Sequence, residues 1–144
     1  MKLILTDVDG VLVSWIEGFD ALMEKHGYPR VIENEYNLVK AFATTKDVID
    51  KVAHEYVTSD VIANLHPIRD SVNIIRFLNR EHGYKLHCIT SISSHPVTHE
   101  YRLLNLQNLY GKDAIHELDC VDHNYEKQEH LEKYIVTEIG RAHV

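Results

Sequence analysis

The stretch Lys2-Leu3-Ile4-Leu5-Thr6-Asp7-Val8-Asp9-Gly10 decides the fold. An apolar run ends abruptly in two acids and a glycine. Such a run, bounded by a turn signal, predicts a buried parallel strand over residues 2–6 with its carboxyl end at Asp7. Ligands of open α/β sheets bind at the carboxyl ends of strands, so the acids stand where a site would form. Two carboxylates that close are costly unless a cation lies between them, and hard oxygen ligands suit Mg²⁺. Gly10 allows a sharp turn and a close approach of backbone to ligand. An EF-hand reading of the same acids fails: Val11 takes the third acidic position and no helix precedes the loop.

Working outward, Trp15, Ile16, Phe19, Leu22 and Met23 recur at helical spacing between a possible N-cap at Ser14 and a stop at Gly27. Residues 33–43 are helix-like but polar, and Val48, Ile49, Val52, Ala53, Tyr56 and Val57 form a cleaner helical face. Residues 59–65 read as a short helix or turn. Pro67 is expected to open a helix with Val72, Ile75 and Leu78 on one face and Gly83 past its end. Lys85 to Ile89 reads as a second strand ending at Thr90-Ser91. Pro96 starts a helix carrying Val97, Tyr101, Leu104 and Leu106, stopped by Gly111. Ala114 to Leu118 reads as a third strand and residues 125–136 as a last helix. Strand–helix–strand units imply parallel pairing through right-handed crossovers. Between the first two strands lie about 60 residues that read mostly as helix, more than a single crossover of a dozen or so residues requires, so an inserted helical subdomain is expected.

The chain has 144 residues, 44% of them hydrophobic and 26% charged, the profile of one globular domain that buries roughly 68–70% of its unfolded surface. The net charge of −7 disfavours a surface that tracks a nucleic-acid backbone, but not a small phosphorylated ligand. Cys88 and Cys120, both in apolar runs, read as buried thiols in a reducing compartment. No run approaches the ~18 apolar residues of a membrane span. The first seven residues hold too few apolar positions for a signal segment. The expectation is a cytoplasmic protein without membrane or nucleic-acid partners. The eleven histidines do not group at metal-binding spacings; His95 and His99 are four apart, but Pro96 lies between them. His87, inside a strand, reads as structural.

The run from Leu3 to Leu12 resembles motif I of the haloacid dehalogenase (HAD) superfamily. Leu86-His87-Cys88-Ile89-Thr90-Ser91 looks like motif II, and Lys127 fits the motif III lysine, with Lys133 a rival. The stretch from His66 to Ser91, with Tyr101-Arg102-Leu103-Leu104-Asn105-Leu106, looks most like the 5′-nucleotidase-like branch, small phage-type members included. The resemblance implies an α/β fold: a Rossmann-like parallel sheet core of HAD type with a small helical cap after the first strand. Residues 1–13 and 66–137 would form the core and 14–65 the cap. It also implies a Mg²⁺-dependent phosphohydrolase of small phosphomonoesters, nucleoside 5′-monophosphates among the candidates. Asp7 would be the nucleophile that forms an aspartyl-phosphate. Asp9 would protonate the leaving oxygen and then activate water. Asp7 through its carboxylate and Asp9 through its backbone carbonyl would hold Mg²⁺. Thr90, with Ser91 as alternative donor, and Lys127 would bind the phosphoryl group. Trp15, Phe19, Tyr36 and Phe42 are aromatic candidates for contact with the leaving group.

One feature departs from the resembled pattern. A fourth acidic motif is expected after a further strand, which would start near Tyr134-Ile135-Val136-Thr137, yet no acidic pair follows and Glu138 is a poor substitute. Residues 138–144 match the translation of a widely used sequencing-adapter read, so this tail is expected to be non-native and the chain truncated near Thr137. Two other functions compete. A non-catalytic binding protein on the same fold would also lack the fourth motif. A phosphoacceptor receiver domain would need an acceptor Asp at a later strand end, where residues 44–58 read as helix.

Overall fold

The computed structural model describes residues 1–122. Lys127, Lys133, the expected last helix over 125–136, the expected strand near 134–137 and the tail 138–144 lie outside the described residues.

Three parallel strands form the sheet: β1 (Lys2–Thr6), β2 (Tyr84–Ser91) and β3 (Ile115–Val121), in the spatial order β1-β2-β3. Lys2 pairs with Tyr84 and Thr6 with Cys88; across the other edge of β2, Thr90 pairs with Cys120. Helix α4 (Ser71–His82) connects β1's side to β2, and α5 (Pro96–Tyr110) connects β2 to β3. The central strand is the buried one, from Leu86 to Thr90. β1 is half-buried rather than buried, because among the described residues it pairs on one edge alone.

Between β1 and α4 the chain makes α1 (Trp15–Lys25), α2 (Leu38–Phe42), α3 (Lys46–Val57) and a 3-10 turn (Asp60–Asn64). The segment is pinned at its two ends: Ser14 N–H donates to the His66 carbonyl, and Ile68 N–H to that of Leu12. α1 and α3 cross closely at Gly18. A Cβ there would run into the Tyr56 hydroxyl and lie 2.9 Å from Leu65 Cδ2. That hydroxyl is fixed by its 2.8 Å bond to the Trp15 carbonyl. Phe19, Met23, Val52, Tyr56, Leu86, Leu106 and Tyr110 belong to one continuous buried cluster, so the insert and the sheet share a core.

Several local expectations shift. Of residues 33–43, only Leu38–Phe42 is helical, capped by the Asn37 side chain. Pro67 does not open α4. It bridges to Val13, and the helix starts four residues later, at Ser71, after Asp70 in a left-handed conformation. Val72, Ile75 and Leu78 do share the half-buried side of α4. In α5 Leu106 is buried as expected, but the rest of the inward face lies one residue on from the expected one. Thr98, Arg102 and Asn105 are buried, while Val97 and Tyr101 are half-buried and Leu104 is exposed. His95 and His99 have structural partners: His95 Nδ1 accepts from Val97 N–H, and His99 Nε2 lies 2.9 Å from the Leu118 carbonyl oxygen.

Candidate active site

The acidic turn after β1 is tightly wound. The Val8 carbonyl accepts from the N–H groups of Val11, Leu12 and Val13, and Gly10, at φ +76°, donates to Val13. Val8 and Val13 are wholly buried. This wedges the loop into the core and sends Asp7 and Asp9 to its outer side. Asp7 is exposed, and its Oδ1 accepts from Val8 N–H at 2.7 Å. The Asp9 side chain is largely shielded.

Parallel pairing brings the end of β2 beside this turn. Thr90 Oγ1 donates to Asp9 Oδ2 at 3.2 Å. Arg102 Nη2, from α5, donates to the other carboxylate oxygen, Asp9 Oδ1. Arg102 is wholly buried, and its Nε and Nη1 have no hydrogen-bond partner among the described residues. Residues 81 and 93 positions from Asp9 thus meet on one carboxylate. Ser91 does not join this contact; it lines the adjoining cleft.

That cleft, of about 570 Å³, lies between Trp15, Asp50, Ala53, His54 and Val57 on one side and Asp9, Ser91, Ile92, Ser93 and Asp122 on the other. Its size suits a small molecule. Asp122 is anchored at the end of β3, where its carboxylate accepts from the backbone N–H of Ser94 at 2.9 Å and its hydroxyl at 2.8 Å. Asp50 pairs with Lys46 at 2.6 Å. Of the aromatic candidates, Trp15 lines the cleft, stacked on Phe19 at 4.7 Å. Phe19 and Phe42 are buried and Tyr36 is exposed, and none of the three lines the cleft.

The chemistry of these donors fits a hard cation. Asp9, Asp50 and Asp122 all line the cleft, and the Arg102 charge is engaged by Asp9, so the cleft favours positive charge. Among the described residues no group of three or more His, Cys, Asp or Glu side chains could hold a metal ion.

His87, on the central strand, is buried, with Nε2 2.6 Å from Asp119 Oδ2 and Nδ1 3.5 Å from Glu117 on β3. This agrees with its structural reading. Burial pushes the Cys88 and Cys120 thiols up to about 12, with the Arg102 charge opposing; both are free cysteines. Among the described residues no helix is long and apolar enough to cross a membrane.

No family model matches the chain. An uncharacterized 32.4 kDa protein from the Gp30-rIII intergenic region of enterobacteria phage T4 is 28% identical over 137 residues, 90% of this chain and 48% of that protein. The chain spans about half the length of this relative. Among solved structures, a hydrolase described as a haloacid dehalogenase-like family protein, from Streptococcus pneumoniae, is similar at a TM-score of 0.61 and 16% identity, covering 96% of this chain and 70% of that one. The fold is therefore α/β with a Rossmann-like parallel sheet, similar to that of the HAD-like protein.

Proposed function

We propose that the chain is a Mg²⁺-dependent phosphohydrolase of small phosphomonoesters, working through an aspartyl-phosphate. The observation that carries this reading is the meeting of Asp9 and Thr90 across the carboxyl ends of two adjacent parallel strands, with Asp7 two residues away and a cleft alongside. The likeness of the fold to a HAD-like hydrolase supports it. Residues 14–65 would act as the cap over the leaving group, and nucleoside 5′-monophosphates are the candidate substrates.

In this reading an Asp7 carboxylate oxygen attacks phosphorus and the bond to the ester oxygen breaks. Asp9 gives that oxygen a proton, then takes one from the water that attacks the aspartyl-phosphate, releasing phosphate and restoring Asp7. Ser91 at the cleft, Thr90 and Lys127 bind phosphoryl oxygens. Mg²⁺, held by the Asp7 carboxylate and the Asp9 backbone carbonyl, would offset the charge of the phosphoryl group. The protein would work as a soluble cytoplasmic enzyme without a nucleic-acid or membrane partner.

The test is phosphate release from an alkyl and an aryl phosphate, with Mg²⁺ and with EDTA. Turnover should need Mg²⁺. Asp9→Asn keeps the carbonyl and the shape but removes the titratable group. Its turnover should fall by about 10²–10⁴, the usual contribution of an acid–base group, and less on the aryl ester, whose leaving group needs less protonation. A folded wild-type protein that binds phosphate esters but never turns them over would instead be a non-catalytic binding protein.

A further inference from the structure

We propose that Arg102 is a positioning residue: from inside α5 it fixes the Asp9 carboxylate for proton transfer, leaving the Thr90 hydroxyl free to turn from Asp9 to the phosphoryl group. The inference rests on the phosphohydrolase reading and deepens it.

Both oxygens of the Asp9 carboxylate are held, Oδ1 by Arg102 Nη2 and Oδ2 by Thr90 Oγ1. The two holders are not equivalent. A hydroxyl has one proton to donate, and a phosphate dianion offers only acceptors, so Thr90 can serve Asp9 or the phosphoryl group but not both. Thr90 and Arg102 are both wholly buried and neither lines the cleft that Asp9 lines; Thr90 is next in the chain to Ser91, which does line it, whereas no neighbour of Arg102 in α5 does. Arg102 reaches the reaction only through Asp9. It can therefore keep the carboxylate in place when Thr90 changes partner.

Stability alone gives no reason for this arginine. Its Nε and Nη1 have no hydrogen-bond partner among the described residues, and a buried charge with so few partners is costly. An apolar side chain of similar volume would often hold a helix as well or better. The neighbouring buried polar residues of α5 do bind structural groups: Thr98 Oγ1 donates to the Val57 carbonyl and Asn105 Nδ2 to that of Leu65. Arg102, midway along the same stripe, takes the carboxylate.

The experiment compares wild type, Arg102→Met and Arg102→Lys on an alkyl and an aryl phosphate, with melting temperatures for these, for Asp9→Asn and for the Asp9→Asn/Arg102→Met double variant. Arg102→Met should lower alkyl-ester turnover on the order of 10²-fold, as expected for a misplaced group, and aryl-ester turnover much less. Arg102→Lys, with the charge but not the fork, should fall between. The double variant should melt no lower than Asp9→Asn alone, because it removes the buried positive charge that the single change leaves without a counter-ion. An equal loss on both esters in folded variants overturns the positioning role and leaves the hydrolase reading standing. Additive melting-temperature losses overturn the pairing itself. A wild type that turns over neither ester overturns both readings. If Arg102→Met does not fold, Arg102→Lys carries the same two-ester comparison.

Discussion

At the residue scale, the candidate site divides into what the sequence marks and what it hides. Asp7, Asp9, Thr90 and Ser91 are legible because each ends an apolar strand, where a parallel sheet exposes its ligand-binding edge. Arg102 is not legible, although its helix is. It lies within α5, in a stretch whose family likeness gives it no role, and its partner is 93 positions away. Only packing distinguishes it from a solvated arginine. Cys88 poses a simpler question. Burial beside β1 and β3 raises its thiol from 9.0 to about 12, so almost none of it is thiolate at pH 8, and the thiolate is the nucleophile. Alkylation of Cys88 in the native protein at pH 8 should be far slower than after unfolding, as peptide mapping would reveal. Equal rates would contradict the burial. The folded form holds this proton more tightly than the unfolded chain. Its contribution to stability is thus present in full below pH 9 and is lost as the pH rises toward 12.

At the scale of elements, periodicity identifies most helices and strands, but not always their faces or first residues. α5 shows why. Val97, Tyr101 and Leu104 form an apolar row at helical spacing, yet the adjacent row of Thr98, Arg102 and Asn105 is buried. Carbonyls of the insert and a carboxylate of the β1 turn need donors there, and an unmet buried acceptor costs more than the exposure of Leu104. Pro67 misleads for a similar reason. Proline suits the first helical turn, but here the chain first bridges back to Val13. The crossing of α1 and α3 at Gly18 yields a direct test. Gly18→Ala gains helix propensity of about 1 kcal/mol, but its methyl meets Tyr56 and Leu65. Overpacking of this kind costs typically 1–3 kcal/mol. The variant should therefore be no more stable than wild type, and less stable if the helices cannot separate, by urea denaturation. A clear gain in stability would mean that the crossing is looser than described here.

At the scale of the whole molecule, the alternating order of strands and helices predicts parallel pairing and a helical insert, and the fold is similar to that of a HAD-like hydrolase. Neither the order nor the likeness specifies chemistry, because one fold hosts many activities. The proposed chemistry rests on Asp7, and trapping a phosphoryl adduct on it is the most direct measurement. The protein is mixed with an aryl phosphate and Mg²⁺, quenched in acid within the first turnovers, digested, and mapped by mass spectrometry with and without hydroxylamine. A hydroxylamine-sensitive phosphoryl group is expected on the peptide that contains Asp7, and none on Asp7→Asn, which should fold normally and release no phosphate. Phosphate release by Asp7→Asn at a rate within tenfold of wild type, or an adduct on any other residue, would contradict the proposed chemistry.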